Sequence, residues 1–271
     1  MTNPMPVVEF DAPAVNPAGL GLYAAATVFD TARPSRILAG VNVRPYNCSE
    51  AFGTWPTDPC ADPDPELRKF GVRPEAGEPF DPLQPWAYDE CGPGVTDEES
   101  RARAAQTLRL QEPLLVESAF AARLLADAGA VPGGIGTATD LADAIGQLEV
   151  ALGETGYQGY IHASRYWAPQ ASQYRWDNQT GAVLKTPLRH SWVFGGGYAS
   201  VLGNTLVATG PVFVWRDELT VNTTFDYRVN IKASVAERTV VVGYECIIAA
   251  VTIGGGAGEG EGEGEGEGEG E

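Results

Sequence analysis

The sequence predicts an α+β protein in which an extended, proline-rich N-terminal arm precedes a helical middle and a β-rich C-terminal half. The first 95 residues hold 15 of the 20 prolines. Residues 96–153 carry helix-capping signals and apolar side chains at helical spacing, whereas the pattern from residue 160 onward is typical of strands. We therefore divide the chain into the arm (residues 1–95), an α+β core (96–253) and a Gly-Glu tail (254–271).

The arm is expected to be loop-rich, because proline removes an amide donor and fixes φ. Only Arg36–Tyr46, RILAGVNVRPY, has the pattern of a strand of useful length there. A region with so few apolar runs cannot build its own core. We therefore expect it to gain order by lying against the rest of the chain or against a neighbouring subunit.

Three helices are predicted in the middle region. Thr96, followed three residues later by Glu99, forms a capping box at the start of the first helix. Pro113 should interrupt that helix and begin a second one, which ends near Gly129 as its C-cap. A third helix follows residues 137–140 and ends at the glycines of 153–156. Its core-facing stripe consists of Leu141, Ile145, Leu148 and Leu152.

The C-terminal half contains four segments rich in Val, Ile, Thr and aromatic residues, which predict strands. They are SWVFGG, NTLVATGPVFVWRDEL, DYRVNIKASVAER and TVVVGYECIIAAVTI. Residues 239–253 are apolar almost throughout, so we expect one central strand buried on both faces. The tail that follows alternates glycine with glutamate and cannot bury anything, which predicts a disordered, solvated segment.

The charge argues against nucleic acid as a sequence-specific ligand. The net charge is −18, and without the seven glutamates of the tail 29 acidic residues still face 18 basic ones. The chain has only three lysines and no basic run, whereas phosphate binding needs clustered Lys and Arg. No apolar run approaches the roughly 18 residues that span a bilayer. The start of the chain, MTNPMPVVEFDAP, lacks the pattern of a secretory signal, so we expect synthesis and folding in the cytoplasm.

The cysteines and acidic residues do not form a recognisable metal motif. Four cysteines at 48, 60, 91 and 246 include no CxxC pair, and the chain has only two histidines. In the cytoplasm the default is reduced, buried thiols, although Cys48 and Cys60 could close a short loop in a molecule that later leaves the cell. A group of carboxylates at 58, 62, 64 and 66 resembles a calcium loop, but prolines and a missing glycine break the EF-hand pattern.

The stretch VFGGGY, Val193–Tyr198, is the strongest candidate for a ligand-binding loop. A phosphate-binding glycine loop needs a strand before it and a helix after it, so that the helix N-terminus faces the anion. The residues that follow, YASVLGNTLVATG, favour turn and strand instead, and neither GK[ST] nor GxGxxG occurs. We therefore interpret Gly195–Gly197 as a connection between strands in which positive φ is needed.

No catalytic residue is assigned. His162 in YIHASRYWAPQ and His190 beside Trp192 are interpreted as packed structural histidines, because no activated nucleophile accompanies them. Neither Cys91 nor Cys246 has suitable neighbours, and no GxSxG elbow occurs. A set of aromatic residues without flanking cations is expected in a core or an intersubunit contact; it comprises Tyr166, Trp167, Tyr174 and Trp176.

Residues 97–253 resemble the capsid-protein fold of tailed bacteriophages, which encapsulin shells share. The segment GYIHASRYWAPQASQ is similar to the part of that family in which an extended stretch leads into a helix. The segment LKTPLRHSWVFGGGY resembles its strand, turn and strand, and residues 205–253 resemble its closing strands. The chain is also similar to structural proteins encoded by phages of high-GC actinobacteria.

The resemblance implies a virion structural protein that self-assembles as the head-shell subunit of a tailed phage. Its partners would then be copies of itself and other virion proteins, with assembly in the host cytoplasm and no catalytic, cofactor or metal residue. Two alternatives remain open at this point. The chain could be a decoration, tail or connector protein of the virion, or a soluble enzyme that uses Cys91 or His162.

Overall fold

The structure is a computed structural model, and it describes residues 12–31, 36–49, 51–55, 58, 60, 66–174 and 183–254. The predictions for Asp62, Asp64, Trp176 and residues 255–271 lie outside the described residues. The helices are α1 (Leu22–Ala25), α2 (Asp97–Ala130), α3 (Leu141–Gly153) and α4 (Ala168–Ala171), with short 3-10 helices at Arg36–Ala39, Arg165–Trp167 and Ser172–Tyr174. The strands are β1 (Thr27–Thr31), β2 (Trp86–Cys91), β3 (Ile135–Ala138), β4 (Tyr160–Ser164), β5 (Ser191–Gly195), β6 (Thr205–Thr209), β7 (Val212–Asp217), β8 (Thr220–Asp226), β9 (Ile231–Glu237), β10 (Val240–Tyr244) and β11 (Ile248–Ile253).

The described strands form three sheets. A five-stranded mixed sheet has the order β3-β11-β6-β4-β5, in which β3 runs parallel to β11 and β4 runs parallel to β5. A three-stranded sheet has the order β1-β7-β10, with β1 parallel and β10 antiparallel to β7. The third sheet, β2-β9-β8, is antiparallel throughout.

The five-stranded sheet is buried on both faces, and this is where most of the core lies. Its strands alternate between two clusters: Leu206 and Ala208 of β6 face α3, whereas Val207 between them faces α2. The predicted stripe of α3 covers the first face, and Asp140 caps that helix by accepting a hydrogen bond from the Asp143 amide. Burial on both faces explains why these strands read as almost continuously apolar.

The long helix α2 corrects the prediction of two helices separated at Pro113. It runs for 34 residues from its N-cap Thr96, whose side chain accepts from the Glu99 amide as predicted. Its buried face has one residue in each turn on both sides of Pro113. The N-terminal part of this face contacts the β2-β9-β8 sheet, and the C-terminal part contacts the five-stranded sheet and β10. Because both parts are buried, tertiary packing outweighs the loss of one helical hydrogen bond. The helix then ends at Ala130, so Gly129 is not its C-cap.

Strand content in the first 95 residues differs from the prediction. Arg36–Ala39 is a 3-10 helix, and Val41 makes only an isolated bridge with Phe80, so Arg36–Tyr46 is not a strand. Two other segments are strands: β1 pairs with β7, and β2 pairs with β9. Both depend on partners that lie more than 140 residues later, which a local pattern cannot reveal.

Residues 239–253 form two strands, not one. The strand β10 belongs to the β1-β7-β10 sheet, and β11 lies inside the five-stranded sheet. The connection between them, Glu245–Ile247, contains Cys246 with a left-handed φ of 70°. The chain thus changes sheets at this point, although its apolar character continues almost without interruption.

Candidate functional site

The glycine turn after β5 is a close packing contact with α2. A methyl group on Gly197 would lie 2.1 Å from the Leu114 carbonyl oxygen and 2.8 Å from the Ser118 amide nitrogen, both in the backbone of α2. Gly196 approaches the side chain of Leu114 in the same way. None of the three glycines adopts a left-handed φ, so the predicted need for positive φ is wrong. Glycine is required here because two backbones approach each other.

A buried carboxylate occupies the position that an anionic ligand of this turn would take. Glu117 of α2 is 2% exposed, and its Oε2 accepts a hydrogen bond from the Gly197 amide at 2.9 Å. Its Oε1 accepts from the Leu22 amide at 2.9 Å, at the start of α1. Arg165 donates to the Leu20 and Phe194 carbonyl oxygens beside it. The turn therefore joins α1, α2 and β5, and its amide is already used by the protein.

His162 on β4 is buried and hydrogen-bonded inside the protein. It is fully buried between Tyr198 and Thr209, with each ring nitrogen 3.0 Å from a hydroxyl oxygen. The Thr209 hydroxyl donates to the Gly210 carbonyl, so it accepts from His162 Nε2–H, and Nδ1 accepts from Tyr198. Burial lowers the pKa of His162 from 6.5 to about 3, which keeps the ring neutral.

His190 is also enclosed by the protein. Its Nδ1 accepts a hydrogen bond from the Gly159 amide at 3.0 Å, and its Nε2 lies 3.3 Å from Glu149 Oε2 on α3. Burial raises the pKa of Glu149, but hydrogen bonds from His190 and Thr186 outweigh it, and the net pKa is below its ordinary value. The pair connects α3 to the loop before β5.

A second buried carboxylate, Glu112, joins the N-terminal region to the sheets. Its side chain is almost fully buried. The carboxylate accepts two hydrogen bonds from Arg238 and a third from the Tyr23 hydroxyl at 2.8 Å. Burial and the Glu112 charge raise the pKa of Tyr23 well above its ordinary range. Sequence reasoning missed Glu112, although a signal existed: it lies four residues from both Leu108 and Val116, in line with the apolar stripe.

The cysteines correct the expectation of four reduced thiols. Cys48 and Cys246 form a disulfide with a Cα–Cα distance of 5.8 Å, whereas Cys60 and Cys91 are free. The suggested Cys48–Cys60 pairing is thus wrong. Beside the disulfide lies Glu245, and these three residues are the one grouping with metal-ligand spacing in the part of the chain that the structure describes. Both sulfurs are taken by the disulfide.

The aromatic set predicted for a core or an intersubunit contact is divided. Trp167 is buried against α3 and donates to the Gly203 carbonyl at 3.2 Å. Tyr166 and Tyr174 are exposed. In the described residues no helix has the length and apolar character needed to cross a membrane.

A scan against protein-family models gives no match, and a search of curated protein sequences gives none either. Solved structures resemble the chain over nearly its whole length. A chain of the capsid of an empty GTA particle, computed with C5 symmetry, is 13% identical with a TM-score of 0.56, and the likeness covers 92% of this chain and 95% of that one. A chain from Microbacterium phage Oxtober96 is 11% identical with a TM-score of 0.54, covering 94% and 96%. A chain from Mycobacterium phage Adephagia is 13% identical with a TM-score of 0.53, covering 92% and 95%.

These likenesses extend well beyond residues 97–253, on which the sequence resemblance was based. More than nine-tenths of each chain is covered. The chain therefore has a phage capsid-like fold.

Proposed function

We propose that the chain is a virion structural protein and that it self-assembles as the shell subunit of a tailed phage. The observation that carries the proposal is the likeness to a GTA capsid chain over 92% of this chain and 95% of that one. Because a fold alone does not fix a function, the proposal goes one step beyond this likeness. In this proposal the protein is located in the virion and its main partner is a second copy of itself.

The distribution of exposed apolar side chains supports self-association. One set lies between residues 46 and 72 and comprises Tyr46, Phe52, Phe70 and Val72, each more than four-fifths exposed. A second set, Tyr227 and Val229, lies at the turn between β8 and β9. Large exposed apolar groups on a soluble protein favour contacts with other proteins, and symmetry repeats each contact around a shell.

The polar groups support a structural role in a different way. Glu112, Glu117 and His162 are all buried and hydrogen-bonded to residues distant in sequence. Such groups specify how α1, α2 and the sheets fit together, and their hydrogen-bonding capacity is used inside the protein. We therefore propose no enzymatic activity. The net charge of −18 further disfavours sequence-specific binding to packaged DNA.

The proposal is tested by negative-stain electron microscopy and light scattering on the purified full-length protein. Closed shells are expected. Rings or tubes would contradict the shell role and favour a tail or connector protein, and a stable monomer would contradict self-assembly.

Paired variants make the same test specific to the exposed apolar groups. Phe70→Ser and Tyr227→Ser should reduce the assembled fraction at a given concentration, because both side chains are more than four-fifths exposed and contribute little to the fold. Val150→Ser, an exposed position on α3 outside both sets, is the matched control. Equal assembly by all three variants would contradict the role given to these side chains.

A further inference from the structure

The strongest unassigned feature is the junction of Cys48, Glu245 and Cys246. Cys48 lies in a segment, residues 42–49, that has neither helix nor strand, whereas Cys246 lies in the connection between β10 and β11. The disulfide therefore joins residues that are 198 positions apart. It attaches the N-terminal region to the point at which the chain enters β11 of the five-stranded sheet.

Glu245 attaches the same segment by means that do not depend on oxidation. Its Oε1 accepts hydrogen bonds from the Tyr46 and Asn47 amides, and its Oε2 accepts from Asn47 Nδ2 at 2.7 Å. The Glu245 side chain is buried, and burial raises its pKa; the three donors outweigh that effect and hold the net pKa below the ordinary value. The carboxylate is thus charged at neutral pH, and its hydrogen bonds are of the stronger, charge-assisted kind.

The hydrogen bonds to Glu245 and the disulfide involve adjacent residues in both segments of the chain. Asn47 precedes Cys48, and Glu245 precedes Cys246, so seating the segment on the carboxylate brings the two sulfur atoms together. A thiol pair held in this way closes faster than one that must meet by diffusion of a long loop. The arrangement fits a bond that forms after the fold is complete.

We propose that Cys48 and Cys246 form a redox-dependent lock, which Glu245 positions while the thiols are reduced and which oxidation then makes permanent. The proposal rests on the proposed function in one respect, namely that the protein is made in a reducing cytoplasm and later leaves it. Before oxidation the segment 42–49 is held reversibly and can adjust during assembly. After oxidation it is fixed to the β10–β11 connection.

The chemistry requires a disulfide oxidant of low molecular mass, such as oxidised glutathione. The Cys48 thiolate attacks one sulfur of the oxidant, forming a mixed disulfide and releasing one glutathione thiolate. The Cys246 thiolate then attacks the Cys48 sulfur and releases the second. Two electrons pass from the cysteine pair to the oxidant, and the two cysteine protons end on the two glutathione molecules.

The test follows thiols and thermal stability in the full-length chain. Alkylation at the moment of cell lysis should detect four free thiols. In a separate sample that has not been alkylated, treatment with oxidised glutathione should leave two free thiols, and peptide mapping should place the bond between Cys48 and Cys246. Closure should raise the thermal midpoint by roughly 5–15 °C. Cys48→Ser should abolish the shift, whereas Cys60→Ser and Cys91→Ser, which remove the free cysteines, should retain it.

A further variant separates positioning by Glu245 from simple proximity. Glu245→Gln keeps the shape but loses the charge, and it places an amide group near Asn47, so closure should slow about tenfold with the final product unchanged. A bond mapped to Cys48–Cys60, a bond already complete at lysis, an unchanged midpoint, or an unchanged rate in Glu245→Gln would each overturn the proposal. Failure to form shells would overturn the proposed function alone, because thiols and midpoints are measured on the chain itself.

Discussion

Gly197 provides the sharpest test of how the glycine turn is built. In Gly197→Ala the added methyl group would lie 2.1 Å from the Leu114 carbonyl oxygen and 2.8 Å from the Ser118 amide nitrogen. These are backbone atoms inside a 34-residue helix, so they cannot rotate away as a side chain would. The turn must therefore shift outward, which is an overpacking penalty of about 1–3 kcal/mol.

The same shift weakens a second interaction. The Gly197 amide donates to Glu117 Oε2 at 2.9 Å, and loss of a hydrogen bond to a buried charged group costs about 1.5–3 kcal/mol. We therefore expect Gly197→Ala to lower the free energy of unfolding by about 2.5–6 kcal/mol. The thermal midpoint should fall by roughly 10 °C.

Urea unfolding followed by tryptophan fluorescence measures this effect. Gly146→Ala is the matched control, since Gly146 lies on the exposed side of α3 and a methyl group there meets nothing within 4 Å. It should stabilise the protein by up to about 1 kcal/mol through helix propensity. If Gly197→Ala unfolded within about 0.5 kcal/mol of the wild type, the close-approach explanation of the turn would be refuted.

Three further predictions concern residues of α2 and β4. The pKa of His162 is about 3 in the folded protein and 6.5 in the unfolded chain, so below pH 6.5 only the unfolded chain binds a proton at this residue. The free energy of unfolding should therefore be unaffected by this group above pH 6.5 and fall by about 1.4 kcal/mol per pH unit below it. Unfolding free energies from pH 7 to 4.5 should therefore fall less steeply in His162→Gln, and parallel curves would contradict the assignment. Glu112→Gln should cost about 2–4 kcal/mol in urea unfolding, because it leaves Arg238 without its charged partner and weakens the Tyr23 hydrogen bond; a neutral effect would show that the network is not stabilising. Pro113→Ala should stabilise the protein by about 1–3 kcal/mol, because it restores a helical donor, and a loss of stability would indicate that the proline ring makes a required contact.

Local patterns predicted those elements whose determinants lie close together in the sequence. The N-cap at Thr96 and the stripe and N-terminal region of α3 were confirmed because a helix satisfies its own hydrogen bonds within four residues. The interpretation of His162 as a packed structural residue stays a prediction, and the structure places that side chain in the core. Alternation in the C-terminal half indicated strands correctly, although it did not show which sheet each strand joins.

The errors share a physical cause, which is that tertiary contacts overrode a local preference. Pro113 remains helical because the residues on both sides of it are buried against sheets. The break between β10 and β11 is invisible in an apolar run, because each strand is buried in a different sheet. The glycine triplet was correctly identified as a connection, but its reason is the approach of α2, which lies about 80 residues earlier in the chain.

By itself the sequence determined that helices and sheets are both present, the acidic character and the absence of familiar catalytic motifs, because composition and short-range spacing carry that information. Only the tertiary structure decided the junctions: Glu117 with the glycine turn, Glu112 with Arg238, and Cys48 with Cys246. Each junction joins residues separated by 80 to 198 positions, and no local pattern encodes which distant partner a buried charge or thiol will meet.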